Sequence, residues 1–157
     1  MQQELVDALR AQRAQIRGHW EALLRVEPVS SPLARPETLV HLIDWSIDEV
    51  FSLLLHRSAS PAGSTQPPPA RSRAVCHCGN NPLLAHFIAG EQALVEALVL
   101  VQVATPGVDA GVRTAAVTEL YHAVRTVARR EVGSFCALCQ HPAVSNSADA
   151  TSHAGRV

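Results

Sequence analysis

The chain has 157 residues, 47% of them hydrophobic but only 4% aromatic, and a formal net charge of −1. That length suits one domain with its own core, and a core poor in aromatics and rich in Leu, Val and Ala favours helices over a β-sandwich. Near-neutral charge without a basic stripe argues against a nucleic-acid partner.

The first predicted helix covers 2–25, where Leu5, Leu9, Ile16, Trp20 and Leu23 recur at three- and four-residue steps. Gln12 fills the gap in that stripe, and Arg and Glu side chains occupy the other sides. The start is polar and amphipathic, unlike a secretory leader. Pro28, Pro32 and Pro36 break the pattern, and Pro36 suits the first turn of a second helix. That helix carries Leu39, Val40, Ile43, Ile47, Val50, Phe51 and Leu54 as its stripe and ends near His56. The Ser/Pro/Gly/Ala stretch 58–73 has no periodicity and reads as a flexible linker. Over the N-terminal hairpin, Trp20 followed by Leu23, Leu24 and a second amphipathic helix loosely resembles helical input domains of bacterial stress sensors. No motif carries that likeness, and no function follows from it.

A third helix is predicted from a cap at Asn81, with Pro82 in the first turn, to about Ala104. Leu84, Phe87, Ile88, Leu94, Val95, Leu98 and Val101 leave it apolar on most sides, so it should sit centrally. Its longest apolar run, 97–104, is interrupted by Gln102 and is too short to span a bilayer. Thr105, Pro106 and Gly107 form a turn, and Asp109 caps a fourth helix running to the neighbourhood of Cys136. Val117, Leu120, Tyr121, Val124, Val127 and Phe135 are its core positions. The small, polar tail 143–157 is expected to be disordered. The expected fold is all-α: an antiparallel four-helix bundle of two hairpins, 2–57 and 74–142, joined by the linker.

The chemistry concentrates in four cysteines, Cys76 and Cys78 in a CxC and Cys136 and Cys139 in a CxxC. The two pairs lie at equal distances from Gly107. If the third and fourth helices pack antiparallel about that turn, the pairs arrive at the same height. Four thiolates at one point repel one another unless a cation holds them, and zinc does so tetrahedrally at about 2.3 Å from each sulfur. The expectation is a four-cysteine metal site, zinc before an iron–sulfur cluster, in a reducing cytoplasm where close cysteines are more often ligands than disulfides. Buried thiols acting as small hydrophobes and a redox disulfide between the pairs are the competing readings. His77 and His141 flank the cysteines as substitute ligands or hydrogen-bonding neighbours.

Glu119 and His122 have the ExxH spacing of di-iron bundles, with Glu96 and Glu91 at similar heights on the third helix, but such sites need two ExxH motifs. Surface ion pairs are the plainer expectation. Glu91, beside the apolar stripe, needs a partner such as Arg125 or Arg129. No P-loop, dinucleotide motif or nucleophile elbow appears. The sequence therefore points to a metal-binding protein with a regulatory or scaffolding role through a protein partner or a second copy of itself. A redox or metal sensor and a carboxylate–His metalloenzyme are the alternatives. Neither nucleic acid nor membrane is expected as a partner. Because 58–73 cannot bury enough apolar area to offset chain ordering, limited trypsin digestion should cut first at Arg71 or Arg73. Early cleavage inside the third helix would contradict the domain map.

Overall fold

The computed structural model describes residues 1–26, 34–59, 74–76 and 81–138, with backbone only for 57–59. All regular structure among the described residues is helical, with no strand. The helices are α1 (Gln3–Ala11), α2 (Arg13–Val26), α3 (Pro36–Leu39), α4 (Ile43–Ala59), α5 (Leu83–Ala104) and α6 (Ala110–Leu138).

The single N-terminal helix expected over 2–25 is two helices. At Gln12, the polar residue in the apolar stripe, the turn tightens and its N–H donates to the Leu9 carbonyl three residues back (3.1 Å). Beyond the break, the Arg13 guanidinium reaches the carboxylates of Asp44 (3.1 Å) and Asp48 on α4. Arg17 joins it on Asp44 at 3.0 Å. These exposed pairs orient α2 on α4 and contribute only about 0–1 kcal/mol each. The second expected helix is likewise divided, because a 3₁₀ turn at Val40–Leu42 separates α3 from α4. Its C-terminus extends to Ala59, so 58 and 59 are helical rather than linker. Residues 60–73 and 143–157 lie outside the described residues.

The caps at the second hairpin form as expected. The Leu83 N–H donates to Asn81 Oδ1 and the Val112 N–H to Asp109 Oδ1, both at 2.9 Å. Gly107 has φ +80°, a left-handed conformation that an L side chain adopts only with strain, and it lets the chain reverse between α5 and α6. Three polar contacts then record an antiparallel pair: Asn81 with Val132, Glu91 with Arg125, and Gln102 with the Arg113 carbonyl. Each pair is centred at or next to Gly107.

The two halves of the chain pack α1 and α2 on α5, and α4 on α6, with α1 and α2 also against α4. Leu5, Leu9, Ile16, Trp20, Ile43, Ile47, Leu54, Leu94, Leu98 and Leu120 are fully buried in the common core. Several expected core positions are only partly buried, Leu23, Val40, Leu84, Val95, Val117, Tyr121 and Phe135 among them. Leu24, four residues after Trp20 on the same face of α2, is the fully buried residue of its last turn. Ile88 is 47% exposed, because α5 is covered mainly by α2 and α6 and keeps one side open. By length and composition α5 is apolar enough to cross a membrane, but 56% of that apolar window is covered by the rest of the protein.

α2 comes close to the backbone of α5 at Gly90. A Cβ built on Gly90 would lie 2.1–2.5 Å from three ring atoms of Trp20, so glycine is the residue that leaves room for the indole. Trp20 is fully buried, and its Nε1–H donates to the His86 carbonyl at 2.9 Å. Burying an indole of about 150–250 Å² stabilises the fold by roughly 4–6 kcal/mol at ~25 cal/mol per Å². Gly90→Ala should therefore destabilise the protein despite the ~1 kcal/mol that alanine gains over glycine in a helix, since overpacking costs typically ~1–3 kcal/mol. Urea denaturation would check it, and in a Trp20→Leu background, where the ring is absent, the same change should stabilise. A neutral or stabilising Gly90→Ala in the otherwise unchanged protein would rule the steric account out.

Candidate functional site

Of the expected ligand set, Cys76 and Cys136 fall within the described residues, while Cys78, Cys139, His77 and His141 lie outside them. Cys76 lies in the described segment before α5 and is buried, and Cys136 lies in the last turn of α6 and is half-buried. Segment 74–76 returns along the same end. Ala74 borders a small cavity shared with Leu84 of α5 and Ala128 and Val132 of α6, and Cys76 is buried in the core two residues later.

Asn81 joins the two helices there. Its carbonyl end is occupied by the Leu83 N–H, which turns its NH₂ end toward α6. From that position Nδ2–H donates to the Val132 carbonyl at 3.2 Å and to Cys136 Sγ at 3.3 Å. The side chain is buried, so these bonds form out of water, where leaving a donor unmet costs about 1–3 kcal/mol. Asn81 reads in the sequence only as a cap. Its second task depends on the register of α6, which no local pattern reports.

Among the described residues no three His, Cys, Asp or Glu side chains lie close enough to share a metal ion. The carboxylate–His set on α5 and α6 is dispersed accordingly. Buried Glu91 is held by Arg125 through Nε–Oε2 (3.1 Å) and Nη2–Oε1 (3.4 Å), the arginine partner expected for it. Arg125 in turn lies over the Tyr121 ring at 4.8 Å. Glu96 turns away to His19 of α2 at 2.8 Å, and Glu119 meets the Met1 amino group. The Nδ1 of half-buried His122 is buried without a hydrogen-bond partner among the described residues. Shared height on two helices does not bring side chains together when they leave the helices in different directions.

A second polar group lies in the core and has no counterpart in the sequence reading. His86 on α5 is fully buried. Its Nε2 shares a 2.9 Å hydrogen bond with Ser46 Oγ of α4, also fully buried, and its ring lies 4.8 Å from that of Trp20 and 5.1 Å, edge-on, from that of Phe87. Its Nδ1 has no hydrogen-bond partner among the described residues. Burial pushes its pKa from 6.5 down to about 4, so the imidazole is neutral at pH 7. A lone histidine flanked by Ala85 and Phe87 gives no periodic or motif signal, and only the burial of α5 reveals it.

Comparison with protein-family models, with curated proteins and with solved structures finds no match to the chain. The site is read from its geometry alone.

His86 makes acid stability testable. Between pH 6.5 and about 4 the unfolded chain binds a proton at His86 that the folded chain refuses. Stability is therefore fully present above pH 6.5 and falls as the solution is acidified through this window, by about 3 kcal/mol at its lower end. Denaturant midpoints measured across that range should show the slope, and His86→Gln should flatten it. Parallel profiles for the two proteins would exclude a neutral buried His86.

Proposed function

We propose that the chain is a non-enzymatic metal-binding protein in which Cys76, Cys78, Cys136 and Cys139 hold one zinc-like ion and clamp the start of α5 to the end of α6. The observation that supports this reading is the Asn81 amide, buried and donating to the Cys136 sulfur. N–H donors at sulfur stabilise thiolate ligands and fix their direction. Cys76, two residues before Cys78 in the sequence, is also buried. Closed four-sulfur sites are usually structural, so the role is regulatory or scaffolding, through contact with a protein partner or a second copy. Exposed Val99, Leu100 and Val103 on α5 offer apolar surface for that contact. The thiolates require a reducing compartment, the cytoplasm in this reading. The same reading takes the two hairpins as an antiparallel four-helix bundle joined by a linker.

A thiol-based redox or metal sensor is the second reading, including an iron–sulfur version. It draws on the difference between buried Cys76 and half-buried Cys136, which gives an oxidant unequal access to the two sulfurs.

Metal analysis of protein purified without added metal decides among these. The expected result is one zinc per chain with no visible colour, and its loss in both Cys136→Ser and Cys139→Ser. Those variants should melt at lower temperature yet keep their helical circular dichroism, because α5 and α6 pack through apolar faces that do not depend on the ion. A charge-transfer band would select the iron–sulfur version. Full metal content after Cys136→Ser would eliminate the four-cysteine site.

A further inference from the structure

A cavity of about 290 Å³ opens between the start of α5, the end of α6 and the α3–α4 segment. It lies at the lower edge of the roughly 300–1,000 Å³ typical of small-molecule sites. Three of the chain's six aromatic side chains line it: Trp45 from α4, Phe87 from α5 and Phe135 from α6. Three rings from three different helices thus border one space, with Phe87 buried, Phe135 half-buried and Trp45 exposed. Ser46 and His86, the buried hydrogen-bonded pair, also line it. The His86 Nδ1 brings to that pair a hydrogen-bonding position unmet among the described residues.

The charge around the cavity is limited and already engaged. Glu131 is its one charged lining residue among the described residues, and Arg130 Nε binds that carboxylate at 2.6 Å. Arg130 itself is further held by Glu49 at 2.7 Å and lies over the Trp45 ring at 5.9 Å. Among the described residues no Lys or Arg lines the space to receive an anion. The larger groove between α1–α2 and α5, about 670 Å³, differs in kind: five of its lining residues on α1 and α5 are alanines, and its His19 and Glu96 are half exposed and paired with each other.

We propose that the aromatic cavity binds a small, uncharged, planar aromatic molecule that carries one hydrogen-bonding N–H or hydroxyl group. The flat body packs among Trp45, Phe87 and Phe135, as rings do edge-on or offset. The polar group meets the His86–Ser46 pair, whose burial makes an unfilled hydrogen-bonding position costly and its filling favourable. A charged ligand would lose its hydration without gaining a counter-charge. This inference does not depend on the metal site.

Indole is the probe, titrated calorimetrically into the full chain as purified. Saturable binding at a single site is expected, roughly tenfold tighter than that of indene, which has the same shape without the N–H. Indole-3-acetate should bind more weakly than indole. The ring ¹⁵N resonances of His86 should shift on addition of indole, which locates the ligand without any mutation. Leu42→Trp, which places an indole of the protein's own at the cavity wall, should weaken binding at least tenfold. Equal affinity for indole and indene, unmoved His86 resonances, or no saturable binding would each overturn the proposal.

Discussion

The seating of Trp20 on Gly90 is the contact on which the rest of the packing depends. The indole occupies the space that any Cβ at position 90 would take, so α2 lies against bare backbone of α5. Its N–H is satisfied by the His86 carbonyl, and its ring covers the His86 imidazole. His86 then bonds Ser46 of α4. Three helices, α2, α4 and α5, thus meet through one aromatic–polar cluster with fixed hydrogen-bond directions. Leucine and alanine faces alone would tolerate sliding, whereas a buried donor and acceptor do not.

The α5–α6 pair is set in register by the same physics. Both helices bury many small side chains, Ala89 and Ala93 on α5 and Ala116, Ala123 and Ala128 on α6. Such surfaces pack closely but discriminate weakly between neighbouring registers. Asn81, Glu91 and Gln102 discriminate, because each is buried and each finds its partner on α6 or at its start in only one register. A slip of one residue would strand these groups out of water, at a cost of about 1–3 kcal/mol apiece and more for the Glu91 charge. The polar residues therefore determine where Cys136 stands relative to the returning segment 74–76.

Two features of chemical interest share the final turns of α6. Phe135 borders the aromatic cavity, while the next residue, Cys136, receives the Asn81 amide. Consecutive helical residues point about 100° apart, which lets one turn serve an apolar pocket and the Asn81–Cys136 hydrogen bond without either intruding on the other. Pro82 and Asn81 divide the start of α5 in the same way.

The sequence by itself determined the helical class, the caps at Asn81 and Asp109, the reversal at Gly107, the antiparallel sense of α5 and α6 and the pairing of Glu91 with an arginine. Each rests on periodicity or on chain distance from a turn, quantities that local backbone geometry converts directly into position. The tertiary structure alone decided the break at Gln12, the full burial of Leu24 rather than Leu23, the exposure of Ile88 and the placing of α2 beside α5 and α4 beside α6. It also decided that Glu96 serves His19, that Asn81 reaches a sulfur, and that His86 is buried against Ser46. These outcomes depend on which faces meet across the core, and a side chain's partner there is a residue 27 to 81 positions away for the contacts that join α2, α4 and α6. No local pattern encodes such a partner, because its identity follows from how the volumes of Trp20 and Gly90 fit together.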